Sequence, residues 1–136
     1  MAHPYQLAEL IAARLESQNI GIPILYAVDL PSIVENAQVA PAIYIVPAGI
    51  QLVSSAGTVG VRESIRDVAC TRFVNQLGGQ GSRQLAGPYL TAVTIALLNY
   101  QPTGYSPIEF ETPPIPQYVG GFGYYPLQFA ATYEIA

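Results

Sequence analysis

Few residues of this chain have the chemistry of a catalytic acid, base or nucleophile. Glu109 and Glu111 lie two positions apart, so on a strand both carboxylates would point to one side, as in the carboxylate pair of a glycosidase-type hydrolase. The chain has one histidine, His3, and one cysteine, Cys70. Pairing them for nucleophilic catalysis would require the N-terminal tail to fold across the sheet. We therefore interpret Cys70 as a small core or interface residue, His3 as a tail residue and the glutamates as an acidic stripe.

Two glycine-rich segments resemble phosphate-binding loops only superficially. Residues 78–83 read Gly-Gly-Gln-Gly-Ser-Arg, but a P-loop needs a lysine after its last glycine, and this chain contains no lysine. Residues 120–123 lack the spacing of a dinucleotide-binding fingerprint. One histidine and one cysteine cannot build a His/Cys-rich metal centre. We therefore predict no catalytic, cofactor-binding or metal-binding residues and expect a protein that is not an enzyme.

The composition favours a protein that acts by assembling. Its 136 residues are 51% hydrophobic and only 10% charged, where about 25% charged is typical of a soluble domain. Nine acidic residues outnumber five arginines, so the net charge is −4 and no basic patch for nucleic acid is available. Ten tyrosines without interleaved basic residues suit a protein interface better than a base-stacking surface.

No targeting or membrane-spanning segment is predicted. The first residues show no basic region followed by an apolar block, as a secretory signal would. A membrane helix needs about 20 mostly apolar residues. The charge-free stretch 36–61 is interrupted by Pro41 and Pro47, and the most apolar stretch, 85–98, is too short. We expect a soluble protein of a reducing cytoplasm, with no membrane partner.

Hydrophobic spacing predicts two helices. The first covers residues 5–19, where Leu7, Leu10, Ile11 and Leu15 form one apolar stripe. The second covers residues 85–100, with Pro88 in its first turn, although its β-branched residues also suit a strand. The outer side of this second helix, at Ala92, Ile95 and Leu98, is apolar as well. We therefore expect a second chain to cover it.

The remaining segments predict a sheet. Extended structure is expected at 24–28, 42–46, 50–53, 61–74, 108–111 and 125–135, and turns or loops at 54–57, 75–84 and 118–123. A brief helical turn is expected near 31–34. Pro47 either ends the second strand or places it at a sheet edge, because proline cannot donate to a ladder. The prediction is one domain, 1–136, of α+β class: an antiparallel or mixed sheet with two packed helices.

The long strand over 61–74 has two unequal sides. The side of Ile65 is the more apolar, although Glu63 and Asp67 share it. The other side carries Arg66 and Arg72, as a partly wet or partner-facing surface would. Asp67 between these arginines also suggests a surface ion-pair strip.

The layout resembles the tail terminator proteins of long-tailed bacteriophages. The shared features are an N-terminal amphipathic helix at 7–15, the strand Pro-Ala-Ile-Tyr-Ile-Val-Pro at 41–47, a long strand at 62–74, a glycine-rich loop before the helix 85–98, and a closing strand with Tyr-x-Leu-x-Phe-x-x-x-Tyr at 125–133. The proline-rich segment 112–116 does not match the family pattern.

The resemblance implies a structural virion protein of the tail and neck, assembled in the host cytoplasm. Such proteins form a homo-oligomeric, hexameric ring that caps the tail tube, ends its polymerisation and joins the head-side connector or neck protein. Genomic DNA would pass through an acidic lumen without specific binding. Alternatives are another neck or tail protein (head-closure or tube), a small hydrolase using Glu109 and Glu111, or a domain with a tyrosine-lined ligand pocket.

A ring uses two different faces of each subunit, which we expect on the second helix and the tyrosine-rich C-terminal region. The predicted interface residues are Arg66, Arg72, Tyr89, Ile95, Leu98, Tyr118, Phe122 and Tyr124.

Overall fold

A computed structural model describes residues 6–27, 40–55, 57–72 and 80–135. Within these ranges two helices pack on a six-stranded mixed sheet, which confirms the predicted α+β class. The elements in chain order are α1 (Leu7–Ser17), β1 (Ile24–Tyr26), β2 (Ala42–Ser55), β3 (Thr58–Arg72), α2 (Gln80–Leu97), β4 (Glu109–Glu111), β5 (Gln117–Val119) and β6 (Phe122–Glu134).

The sheet has two different edges. Its strand order is β1-β2-β3-β6-β4, and β5 also pairs with β6. Only the β1–β2 pair is parallel among the described strands, and the other pairs are antiparallel. We call the two sides the β1–β2 edge and the β4–β5 edge; the latter includes residues 112–116 between its two short strands.

The main core lies between the helices and one sheet face. The predicted stripe of α1 is buried against it, and α2 contributes Val93 and Leu97. The inner face predicted for the last strand is confirmed, since Tyr125, Phe129 and Tyr133 are buried on it. The predicted half-burial is not, because residues 123–126 and 129–131 are buried in succession. Burying one large apolar side chain stabilises the fold by about 1.5–3 kcal/mol. A second, smaller cluster on the opposite face contains Ala42, Tyr44, Val46, Val68, Cys70 and Tyr124.

The second strand does not end at Pro47. The Ile43 N–H donates to the Pro23 carbonyl at 2.9 Å, and the Ala27 N–H donates to the Ile45 carbonyl at 3.0 Å. Odd-numbered residues therefore direct their backbone groups toward β1 and away from β3. Pro47 is the next odd position, so its missing N–H removes no bond to β3 and the strand continues to Ser55. The alternative that Pro47 lies at an edge is confirmed.

Several predicted boundaries move. Part of the predicted loop 75–84 is helix, because α2 begins at Gln80. The predicted turn 118–123 is confined to Gly120 and Gly121, whose positive φ values of 59° and 84° suit glycine, and the flanking residues form the β5–β6 hairpin. Residues 54 and 55 belong to β2 rather than to a turn. His3, the helical turn near 31–34 and residues 73–79 lie outside the described residues.

Candidate functional site

The two glutamates considered as a catalytic pair belong to a polar cluster on the outer sheet face. The Arg62 guanidinium pairs with Glu109, and its Nη2 lies 2.9 Å from Oε2 of Glu111. The Ser64 hydroxyl and the Gln128 amide both donate to Oε1 of Glu111, each at 3.0 Å. These side-chain contacts join β4 to β3 and β6, so the cluster stabilises the position of the three-residue strand β4 in the sheet.

The electrostatics of this cluster do not suit acid–base catalysis. Burial would raise the pKa of Glu111, but hydrogen bonds from Gln128, Arg62 and Ser64 outweigh it and hold that pKa below its ordinary value. The bond to Glu109, and then the bond to Glu111, raise the pKa of Arg62. A carboxyl that acts as a general acid near neutral pH needs a raised pKa instead. The geometry therefore favours a structural role for both glutamates.

The predicted ion-pair strip along β3 is wrong. Arg66 Nε donates to the Gln128 side-chain oxygen at 2.9 Å, and the Arg72 guanidinium lies 5.6 Å from the Phe122 ring centroid. Successive side chains of a strand point to opposite sides of the sheet. Both arginines therefore lie on the outer face, opposite to Ile65, which points to the helices. Asp67 points to the helix side and is 1% exposed.

Two acidic residues are buried under the helices. The Tyr105 hydroxyl donates to Oε1 of Glu63 at 2.9 Å. Neither carboxylate oxygen of Asp67 has a hydrogen-bond partner in the described part of the chain, and burial raises its pKa to about 8. Asp67 is therefore mostly protonated at neutral pH. The only signal for this in the sequence was the position of both acids on the apolar side of the long strand.

The outer side of α2 exposes large apolar side chains together with the uncharged polar Gln84 and Thr91. Three side chains, which we call the α2 stripe, are exposed: Leu85, Ile95 (to 65%) and Leu98, which directly follows the last residue of the helix. The segment 84–98 has no charged residue to solvate this side. Tyr89 is half-buried and packs against the main core. A single copy of the chain thus buries one side of the helix only, and the α2 stripe is a candidate for a protein contact.

The predicted C-terminal interface residues divide between surface and interior. Tyr118 is exposed and meets Tyr125 edge-to-face at a centroid distance of 5.8 Å. Phe122 is half-buried beside Arg72. Tyr124 is 1% exposed within the second cluster, so its assignment to the interface is corrected: the subunit's own packing occupies this side chain.

Sequence reasoning missed the most exposed apolar side chains at the sheet edges. Ile115, between β4 and β5, is 81% exposed, and Phe110 on β4, five residues earlier, is exposed as well. At the other edge, Tyr26 and Leu52 are exposed. The composition indicated surplus apolar surface, but no local pattern identifies these positions, because exposure at an edge depends on the strand order.

The described residues hold no group of three metal-ligating side chains, and none of their helices combines the length and hydropathy of a membrane span. The Cys70 thiol is buried, as expected, and burial raises its pKa to about 11, so it is a poor nucleophile.

Comparison with known proteins identifies the family. The model of the family described as "Phage tail terminator protein" matches residues 1–136. No curated protein sequence matches the chain. Among solved structures, a chain of the virion of a native gene transfer agent particle is similar in fold, with a TM-score of 0.58 and 15% identity over 96% of this chain and 99% of that one. The chain therefore belongs to the phage tail terminator family and is a structural protein of the phage tail.

Proposed function

We propose that this protein forms a hexameric ring that caps the tail tube, stops its polymerisation and offers a joining surface to the head-side connector. The observation that carries the proposal is that one subunit exposes three separate apolar surfaces, namely the α2 stripe and the two opposite edges of the sheet, the β1–β2 edge and the β4–β5 edge. Ring assembly requires two different, mutually complementary faces on each copy. The protein acts in the tail or neck of the virion, after assembly in the host cytoplasm, and does no catalysis.

The predicted interface residues lie on the α2 stripe, on the β4–β5 edge and on the outer face of the sheet. Ile95 lies on α2 and Leu98 directly follows it, while the half-buried Tyr89 packs against the main core. Tyr118 lies on the β4–β5 edge, where β5 pairs with the start of β6. On the outer face of the sheet, Arg72 lies beside Phe122 and Arg66 donates to Gln128, so this face offers polar groups to a partner.

The charge distribution supports passage of DNA. Each copy carries −4, so a ring of six carries −24, and contacts that neutralise phosphates are the ones that retain nucleic acid. The guanidinium of Arg62 is paired with two carboxylates. A lumen formed by such subunits would let genomic DNA through without specific binding.

A tube-protein role remains the second candidate because of the β2–β3 hairpin. Tube proteins are expected to stack through a long hairpin, and the sequence indicated only a short tip near residues 54–60. The hairpin instead joins strands of 14 and 15 residues. Its length therefore does not separate a cap from a tube subunit, whereas the family match favours the cap.

The test combines the oligomeric state with tube capping. We expect sedimentation velocity and native mass spectrometry of the purified chain to show six copies, and negative staining to show rings at one end of added tail tubes. Unlimited self-polymerisation would support the tube-protein role. A chain that stays monomeric at micromolar concentration and ignores tube ends would overturn both.

A matched pair of variants locates the interface. Ile95→Asp places a charge in the α2 stripe, whereas Ala13→Asp places the same charge on an exposed position of α1. We expect the first to abolish rings and capping while the monomer stays folded, and the second to leave both unchanged. Equal behaviour of the two variants would exclude the α2 stripe as an interface.

A further inference from the structure

We propose that neighbouring copies are joined by Ile115 of one copy, which inserts into an apolar pocket at the β1–β2 edge of the next. This inference rests on the proposed ring and specifies one of its joints. It is carried by a pocket and a protruding side chain that lie on opposite edges of the same sheet.

The pocket forms where β1 ends and β2 continues alone. Its volume is 420 Å³, and the described residues that line it are Ala8, Tyr26, Ala27, Ile45 and Pro47. None of these is charged. The last backbone bond on this side, from Ala27 to Ile45, closes one end, and beyond it β2 runs on without a neighbour among the described strands. Among the described residues, nothing covers the pocket on this side, so we propose that it opens at the edge of the sheet.

Ile115 is the most exposed large apolar side chain of the described residues. It is flanked by Pro113, Pro114 and Pro116, whose rings restrict the backbone. A restrained segment loses little conformational entropy when it binds, so it presents Ile115 efficiently. These prolines also have no N–H groups, so this part of the β4–β5 edge is poorly suited to strand addition. A side-chain contact suits it better.

The charges permit this contact. The segment 112–133 contains no charged residue. At the pocket rim, burial and then the nearby carboxylates of Glu9 and Glu16 raise the pKa of Tyr26, which places negative charge beside the opening. An uncharged apolar segment approaches such a rim without repulsion, whereas an acidic one would be repelled.

The arrangement favours a second copy as the occupant. Both halves of the contact are on this chain, at the two edges of the strand order β1-β2-β3-β6-β4. Complementary patches at different places on one molecule associate head to tail, which closes into a ring when the rotation permits. The same joint repeated six times would leave neither half unoccupied.

Disulfide trapping tests the pairing directly. Two variants, Ala27→Cys and Ile115→Cys, are oxidised separately and as a mixture, and the native thiol at Cys70 is buried. We expect a covalent dimer from the mixture only, and a ladder up to six from the double variant. Ile135→Cys, at an exposed isoleucine elsewhere, replaces Ile115→Cys as the control and should give no mixed dimer. Rings without a mixed cross-link, or cross-links of Ile115→Cys with itself or with tube protein, would overturn the proposal.

An affinity measurement separates this joint from the ring itself. We expect Ile115→Ser to weaken subunit association about ten- to a hundredfold, as loss of a buried apolar side chain does, and Ile135→Ser to change it less than threefold. If the unmodified chain forms capping rings and Ile115→Ser assembles equally well, only the joint proposed here fails. If the unmodified chain forms no rings, the proposed function fails with it.

Discussion

Replacing Asp67 should stabilise the protein in a pH-dependent manner. Asp67 is 1% exposed, it has Ile45 and Leu127 as cross-strand neighbours, and its carboxyl has no hydrogen-bond partner in the described part of the chain. Burial raises its pKa from 3.8 to about 8. Between about pH 4 and pH 8, Asp67 therefore holds a proton in the folded chain that it has released in the unfolded chain.

The sign and size follow from proton linkage. Because the folded state holds the proton more tightly, stability falls as pH rises from about 4 and levels off above about 8. Each pH unit in this window changes the free energy of unfolding by about 1.36 kcal/mol. This one group therefore makes the fold about 3 kcal/mol less stable at pH 7 than at pH 5, and up to about 4 kcal/mol less stable at pH 7 than below pH 4.

Asp67→Leu removes both the titration and the unpaired polar atoms, so at pH 7 we expect it to raise the free energy of unfolding by up to about 4 kcal/mol. Asp67→Asn should gain less, because its buried amide lacks partners, at a cost of about 1–3 kcal/mol. The assay is urea unfolding at pH 5, 7 and 8.5 at one fixed protein concentration.

The informative quantity is the difference between Asp67→Leu and the unmodified chain, which should grow from pH 5 to pH 7. Glu16→Gln, at an exposed acid, is the control and should change stability by less than about 0.5 kcal/mol. A difference that is constant with pH, or Asp67→Leu less stable than the unmodified chain at pH 7, would refute the reasoning.

Three further outcomes are expected. Glu111→Gln should lower the free energy of unfolding by about 1 kcal/mol at pH 7; because the pKa of Glu111 is lowered, the loss should vanish as pH falls through that pKa, and a loss that persists at low pH would contradict it. Tyr105→Phe should cost about 1–3 kcal/mol in thermal unfolding, because it leaves the Glu63 carboxylate without this donor, and an unchanged midpoint would argue against the bond. Leu97→Asp should prevent folding, as circular dichroism would show, whereas Ile95→Asp on the exposed side should yield a folded monomer.

The sequence by itself predicted the helix and strand whose hydrophobic residues recur at regular spacing. Helix α1 lies within two residues of its prediction at each end, and the alternation of the last strand identified its buried face. Patterns of this kind follow from geometry within one element, so they need no knowledge of neighbours. The low fraction of charged residues and the lack of a catalytic motif in the sequence also predicted an assembly role.

The partners of each element were decided by the tertiary structure. Pro47 is tolerated within β2 because its nitrogen is on the side away from β3, where no ladder bond is lost. Which side this is depends on the side of β2 on which β1 pairs. Asp67 and Arg66 are adjacent in sequence, yet one is buried beneath helices and the other faces outward. Likewise, Ile115 and its proposed pocket occupy opposite edges only through the strand order. The hydrophobic composition predicts that some apolar surface stays exposed on a single copy and needs a partner. The positions of that surface are set by contacts between residues far apart in the chain.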